Sequence, residues 1–281
     1  MEPTLSQALE HPGTFDAEAY LERLGVEAPQ DSSLAALSTL LDAHMRAIPF
    51  ENLDVLLGRT PRLDLASLQD KLVRRRRGGY CFEHAALMGA ALRRFGFVVR
   101  DQLARVVMER PRERAGRTHH FLLVSLPSGP VVVDPGFGGL APQLPLPLVD
   151  GHRVRAGGVV HRMRQQGPLW TLQAELPGEP EPRALWTTAL DEALPPDFEM
   201  GNHFTATHPD SHFRQRLALR ALTPSGRLSV VGREVTLREG RVVQHWTLRH
   251  RPALRALLQR HFGFDLPEVL TMRVPSVPAW D

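Results

Sequence analysis

The sequence predicts an α+β protein in three parts: helical over residues 1–97, β-rich over 98–193 and mixed α/β over 194–281. Three observations carry this. Apolar residues recur at helical spacing through the first hundred positions. The pattern then changes to β-branched and aromatic runs punctuated by proline and glycine. From about Leu194 a strand meander is followed by a last helix.

Taken in order, "SLAALSTLLDAHMRAI" places Leu34, Leu37, Leu40, Leu41 and Ile48 near one face, and Pro49 stops the helix. Asp64 is the expected N-cap of "LASLQDKLV", with Leu65, Leu68 and Leu72 turned inward. A helix is expected from Phe82 to Phe95, ended by Gly96. "QLARVVME", "HHFLLVSL", "PVVVDPGF", "LWTLQAEL" and "RALWTTAL" read as strands, the second and third joined by a hairpin at Pro127, Ser128 and Gly129. "LAPQLPLPLVDGHRVRAGG" reads as a long surface connection. "RLSVVGREVTLREGRVVQHWTL" reads as a meander, and "RPALRALLQRHFGF" as a helix opened by Pro252 and closed by Gly263.

Composition narrows the function classes. Hydrophobic residues make up 42% and charged residues 23%, ordinary for a soluble globular protein. No apolar run reaches the roughly 18 residues of a membrane span, and the N-terminus lacks a basic-then-apolar signal pattern. A cytoplasmic protein without a membrane partner is expected. One cysteine cannot form an intrachain disulfide. The tract Arg74–Arg77 has neither aromatic neighbours nor a basic tail, so it reads as a solvated face or helix end and no nucleic-acid partner is expected.

The chemistry-bearing residues begin with Cys81, in "RRRRGGYCFEHAALMGAALRRFGF". It sits where a glycine turn meets a helix, and a helix N-terminus favours a negative charge such as a thiolate. A nucleophile needs a base, and the base an orienting group. "RTHHFLLV" supplies His119 and His120, and "VVVDPGFGG" supplies Asp134, across the expected hairpin from His119. Strand alternation sends the two histidines to opposite faces, so only one can join a site with Asp134. The glycines at 136, 138 and 139 suit either a tight turn or close approach of a ligand to the backbone. His119, His120, His203, His208 and His212 are the raw material for a competing metal-binding reading. Pro209 interrupts regular spacing among the last three, and no metal is expected.

"RRGGYCFEH" resembles the active-site signature of the arylamine N-acetyltransferases. "IPFENLDVLLGR", "THHFLLV", "VDPGFGG", "DFEMGNHFTATHPDSHF", "VGREVTLREG" and "HFGFDLP" resemble further segments of that family, in the same order, from about residue 15 to 270. The resemblance implies a cysteine-protease-like Cys-His-Asp core. Its helical domain (1–97) carries the nucleophile, its barrel-like domain (98–193) carries histidine and aspartate, and its α/β domain (194–281) contributes to a coenzyme cleft. It implies acetyl transfer from acetyl-CoA to an arylamine or arylhydrazine through an acetyl-cysteine. Cys81 would be the nucleophile, His119 the base and Asp134 its orienter. Substrate-pocket positions fall on Phe50, Val107 and Phe137, and coenzyme-contacting positions on Gly116, Thr118, Gly138 and Phe204. A related amide synthase or hydrolase acting on another acyl thioester would use the same core. The chain departs from the family pattern at Ala85, Pro135 and Phe204. The oligomeric state stays open.

Overall fold

Side-chain caps set the helical start of the chain. In the computed structural model, which describes residues 14–176, 178–278 and 280, Asp16 accepts from Ala19 N–H, Ser33 from Ala36 N–H and Asp64 from Ser67 N–H. They open α1 (Ala17–Leu24), α2 (Leu34–Ala47) and α4 (Leu65–Leu68). A two-residue strand β1 (Phe50–Glu51) and the short α3 (Leu53–Leu56) lie between α2 and α4. A π-helical segment, Gln69–Arg74, continues α4 toward α5 (Cys81–Arg94), after which Gly96 takes the left-handed conformation.

The β-rich part comprises β2 (Val98–Val106), β3 (Arg117–Leu126), β4 (Gly129–Val133), β5 (Leu146–Pro147), β6 (Arg153–Ala156), β7 (Val159–Gln166), β8 (Leu169–Glu175) and β9 (Arg183–Thr188). They form one antiparallel sheet in the order β5-β4-β3-β2-β9-β8-β7-β6, curled toward a barrel so that β5 packs back on β7. Strand β3 is buried on both faces, which explains its nearly unbroken apolar run. Phe121 and Leu123 join Trp186, Met163 and Leu172 inside the barrel, while Leu122 and Val124 pack with Leu37, Leu41 and Met88 of the helices.

After α6 (Pro195–Thr207) and α7 (His212–Gln215) come β10 (Ala218–Thr223), β11 (Gly226–Val231), β12 (Glu234–Glu239), β13 (Val242–Thr247) and α8 (Arg251–Leu257). These strands form a second antiparallel sheet, β1-β10-β11-β12-β13, covered by Leu254, Leu258 and Phe262. Its first strand comes from the helical part: Phe50 pairs with Arg220 and Glu51 with Leu219.

Two expectations are corrected. The supposed surface connection after Leu140 contains β5 and β6, and Ala141 and Leu146 are buried. Its prolines are compatible with pairing because β5 is a sheet edge, where a missing N–H costs no ladder bond. The tract Arg74–Arg77 is not uniformly solvated either. Arg77 is buried and bonds Glu51 Oε1 at 2.5 Å and Asp54 Oδ1 at 2.9 Å. A guanidinium this deep needs such partners to offset its lost hydration.

Candidate active site

Cys81 is the first residue of α5, and its thiol donates to Thr118 O at 3.8 Å. Glycine at position 78 answers to a close approach: a Cβ there would lie 2.0 Å from Pro49 O. The turn is then fastened to α5 by Glu83, whose Oε2 accepts from Tyr80 N–H at 3.1 Å and whose Oε1 bonds Lys71 Nζ at 2.7 Å. Burial, helped by Glu51 and Asp54, outweighs Lys71 and pushes the Glu83 carboxyl up to about 7.

On β3, His119 turns into the barrel and His120 away from it. His119 Nε2 meets Asp134 Oδ2 at 2.8 Å, which leaves Nδ1 for a second partner. The same oxygen accepts from Trp186 Nε1 at 2.9 Å, and all three side chains are buried. Burial pulls His119 down, but the charge and hydrogen bond of Asp134, together with neighbouring Cys81, push it up to about 10. His120 Nε2 instead bonds Asp101 Oδ1 at 2.8 Å on the outer face. A cleft of about 980 Å³ on that face is lined by His120, Asp101, Phe198 and Asn202, and none of Cys81, His119 and Asp134 lines it. Among the described residues no three His, Cys, Asp or Glu side chains are grouped as a metal ion would require.

The loop after β4 closes the site. Gly136 lies so near α5 that a Cβ would sit 2.5 Å from Cys81 Cα. Phe137 follows, its ring edge-on to His119 with centroids 5.0 Å apart. A buried thiol, an imidazole held by a carboxylate and a flanking aromatic ring thus converge from α5, β3 and the loop after β4. Such a set can take up an acyl group and pass it on.

Comparison with known proteins agrees with this geometry. The N-acetyltransferase family model matches residues 33–271. An arylamine N-acetyltransferase / N-hydroxyarylamine O-acetyltransferase of Salmonella typhimurium is 37% identical over 253 residues, 89% of each chain. The chain belongs to the arylamine N-acetyltransferase family. An arylamine N-acetyltransferase of Mycolicibacterium smegmatis is 35% identical, over 91% of this chain and 94% of that one. The structure of the Mycobacterium marinum arylamine N-acetyltransferase in complex with CoA superposes with a TM-score of 0.84 at 34% identity, covering 90% of this chain and 94% of that one. The fold is therefore that of the arylamine N-acetyltransferases, with its mixed α and β layers and barrel-like sheet.

Within this family frame the other expected positions separate. Phe50 is half-buried, its ring parallel to that of His84 at 6.5 Å. Gly138 packs against Phe50, a Cβ there falling 3.4 Å from the ring, and its carbonyl accepts from the buried Arg220. Thr118 touches the Cys81 thiol through its carbonyl and bonds Gly116 O at 3.5 Å. Val107 is held by its backbone, N–H to Leu185 O at 2.9 Å. Phe204 lies on the exposed side of α6, stacked on His208 at 4.2 Å. Sequence reasoning missed Trp186. Its apolar ring reads as core, and only barrel closure aims the indole N–H at Asp134.

Proposed function

We propose that this chain transfers an acetyl group from acetyl-CoA to the nitrogen of an arylamine or arylhydrazine, with Cys81 as acyl carrier, His119 as proton carrier and Asp134 as its anchor. The observation that supports this most is the buried His119–Asp134 pair at 2.8 Å beside a helix-terminal thiol. The raised His119 favours an imidazolium next to Cys81, the arrangement that keeps a thiolate ready to attack.

In the first half-reaction the Cys81 sulfur bonds the acetyl carbon, the carbon–sulfur bond to coenzyme A breaks, and the His119 proton goes to the departing thiolate. In the second, the amine nitrogen attacks the acetyl-cysteine and the bond to Cys81 breaks. The amine proton passes to His119, restoring the starting ion pair. An arylamine is a weak base, so its neutral form is abundant near pH 7. Phe137 and Phe50 offer aromatic contact to its ring. Gly116, Thr118, Gly138 and Phe204 are the positions proposed to meet coenzyme A. Thr118 adjoins the thiol, and Phe204 with His208 presents an exposed aromatic surface.

Initial rates measured while varying both acetyl-CoA and an arylamine test this reading. Parallel double-reciprocal lines are expected for two half-reactions sharing a covalent intermediate. Converging lines would contradict it, because they require both substrates bound together.

A further inference from the structure

Beneath the site runs a buried hydrogen-bonded chain that the proposed chemistry does not use. Tyr20 Oη meets His44 Nδ1 at 2.8 Å, His44 Nε2 meets His84 Nδ1 at 2.9 Å, and His84 Nε2 meets Pro49 O at 3.3 Å. The three side chains come from α1, α2 and α5 and are all buried. A carbonyl oxygen only accepts, so His84 carries its proton on Nε2 and offers a bare Nδ1. His44 must then donate from Nε2 and accept at Nδ1 from the Tyr20 hydroxyl. The bonds run from Tyr20 toward the turn before Cys81, where the Gly79 backbone also bonds the His84 ring beside Pro49 O. Both imidazoles are held neutral: burial pulls His84 down to about 4 and His44 well below its ordinary value.

The far end of the chain is a structural hub. Pro49 O also accepts from Gly79 N–H at 3.2 Å, and Gly79 O accepts from Glu51 N–H at 2.9 Å, so the segment before Cys81 hangs on this carbonyl. Phe50, the next residue, stacks on the His84 ring. Gly136 closes over both elements, a Cβ there falling 3.2 Å from His84 Cβ.

We propose that Tyr20, His44 and His84 form a one-directional relay that positions the Pro49 carbonyl, and with it the Cys81 turn and the Phe50 wall. They are positioning residues, and the proposal rests on Cys81 being the acyl carrier. Its consequence is remote control. Without the Tyr20 hydroxyl, His44 Nδ1 is left as a buried acceptor with no donor and the His44 ring loses the bond that fixes its orientation. The hold on His84, and through it on Pro49 O, loosens with it.

The test compares Tyr20→Phe, His84→Gln, His84→Leu and Tyr20→Phe/His84→Leu. It reads Cys81 alkylation by iodoacetamide, arylamine kcat and KM, and thermal melting. Tyr20→Phe is expected to stay folded and to slow alkylation and kcat/KM about threefold to tenfold, the scale of one buried hydrogen bond. His84→Gln should recover most of what His84→Leu loses, because an amide places one donor and one acceptor at imidazole spacing. Tyr20→Phe should add nothing in the His84→Leu background. Wild-type rates in Tyr20→Phe would overturn the relay, as would an equal Tyr20→Phe loss in both backgrounds or failure of His84→Gln to recover. Should His84→Leu not fold, Tyr20→Phe and His84→Gln decide alone. Alkylation needs no acyl donor, so failure of the relay and failure of acetyl transfer register separately.

Discussion

Asp134 Oδ2 receives two donors, His119 Nε2–H and Trp186 Nε1–H, while no protein group bonds its Oδ1 among the described residues. The indole is therefore a second fixed support for the carboxylate that anchors the imidazole. Trp186→Phe removes that donor together with the five-membered part of the buried ring. Steady-state assays should show kcat/KM falling by about tenfold, the scale of a hydrogen bond to a charged group, and the melting temperature should fall as well, because the smaller ring leaves a gap in the barrel core. Unchanged kinetics would mean that His119 alone holds Asp134. The legibility of this site follows chain distance. Cys81 announced itself by its place before a helix, and the hairpin register that suggested reach between His119 and Asp134 corresponds to a 2.8 Å contact. Trp186 lies 52 residues beyond Asp134, on a strand whose neighbours are chosen only when the sheet curls.

Among the elements, α5 and the loop after β4 fix the site by contact rather than by bonds. Gly136 lies against the backbone of Cys81, where added atoms have nowhere to go. Gly136→Ala should push loop and helix apart, destabilise by about 1–3 kcal/mol and displace Phe137 from His119. Alkylation of Cys81 and the melting temperature would both fall. Wild-type values for both would show that the loop has slack. Helices α2 and α5 and most strands were readable because each presents a single periodicity. The pieces that were not readable depend on partners elsewhere. Pro147 pairs only because Val131 lies opposite, and Arg77 is buried only because Glu51 and Asp54 meet it. Neither pairing leaves a local pattern.

Across the whole molecule, the buried titratable groups set opposite limits on stability. His84 is depressed from 6.5 to about 4, so it contributes stability that is present above pH 6.5 and lost as pH falls toward 4. That contribution is on the order of 3 kcal/mol. His44 acts in the same direction. His119 is raised to about 10, so its contribution is present below pH 6.5 and lost as pH rises toward 10. Glu83, raised to about 7, loses its share as pH rises from 4.5 through 7, so it offsets part of the acid limb and steepens the start of the alkaline one. Melting temperature should therefore be highest near pH 6.5, where the histidine limits meet, and fall on both sides. His84→Gln, which removes one titrating group, should flatten the acid limb between pH 6.5 and 4. An unaltered acid limb in that variant would show that His84 does not titrate there.

Whether Cys81 carries the acyl group is decided by intact-mass analysis after incubation with acetyl-CoA alone. One added acetyl group is expected, mapping to Cys81, absent from Cys81→Ser and discharged on addition of an arylamine. An unmodified protein, or the same adduct on Cys81→Ser, would mean that Cys81 is not the acyl carrier.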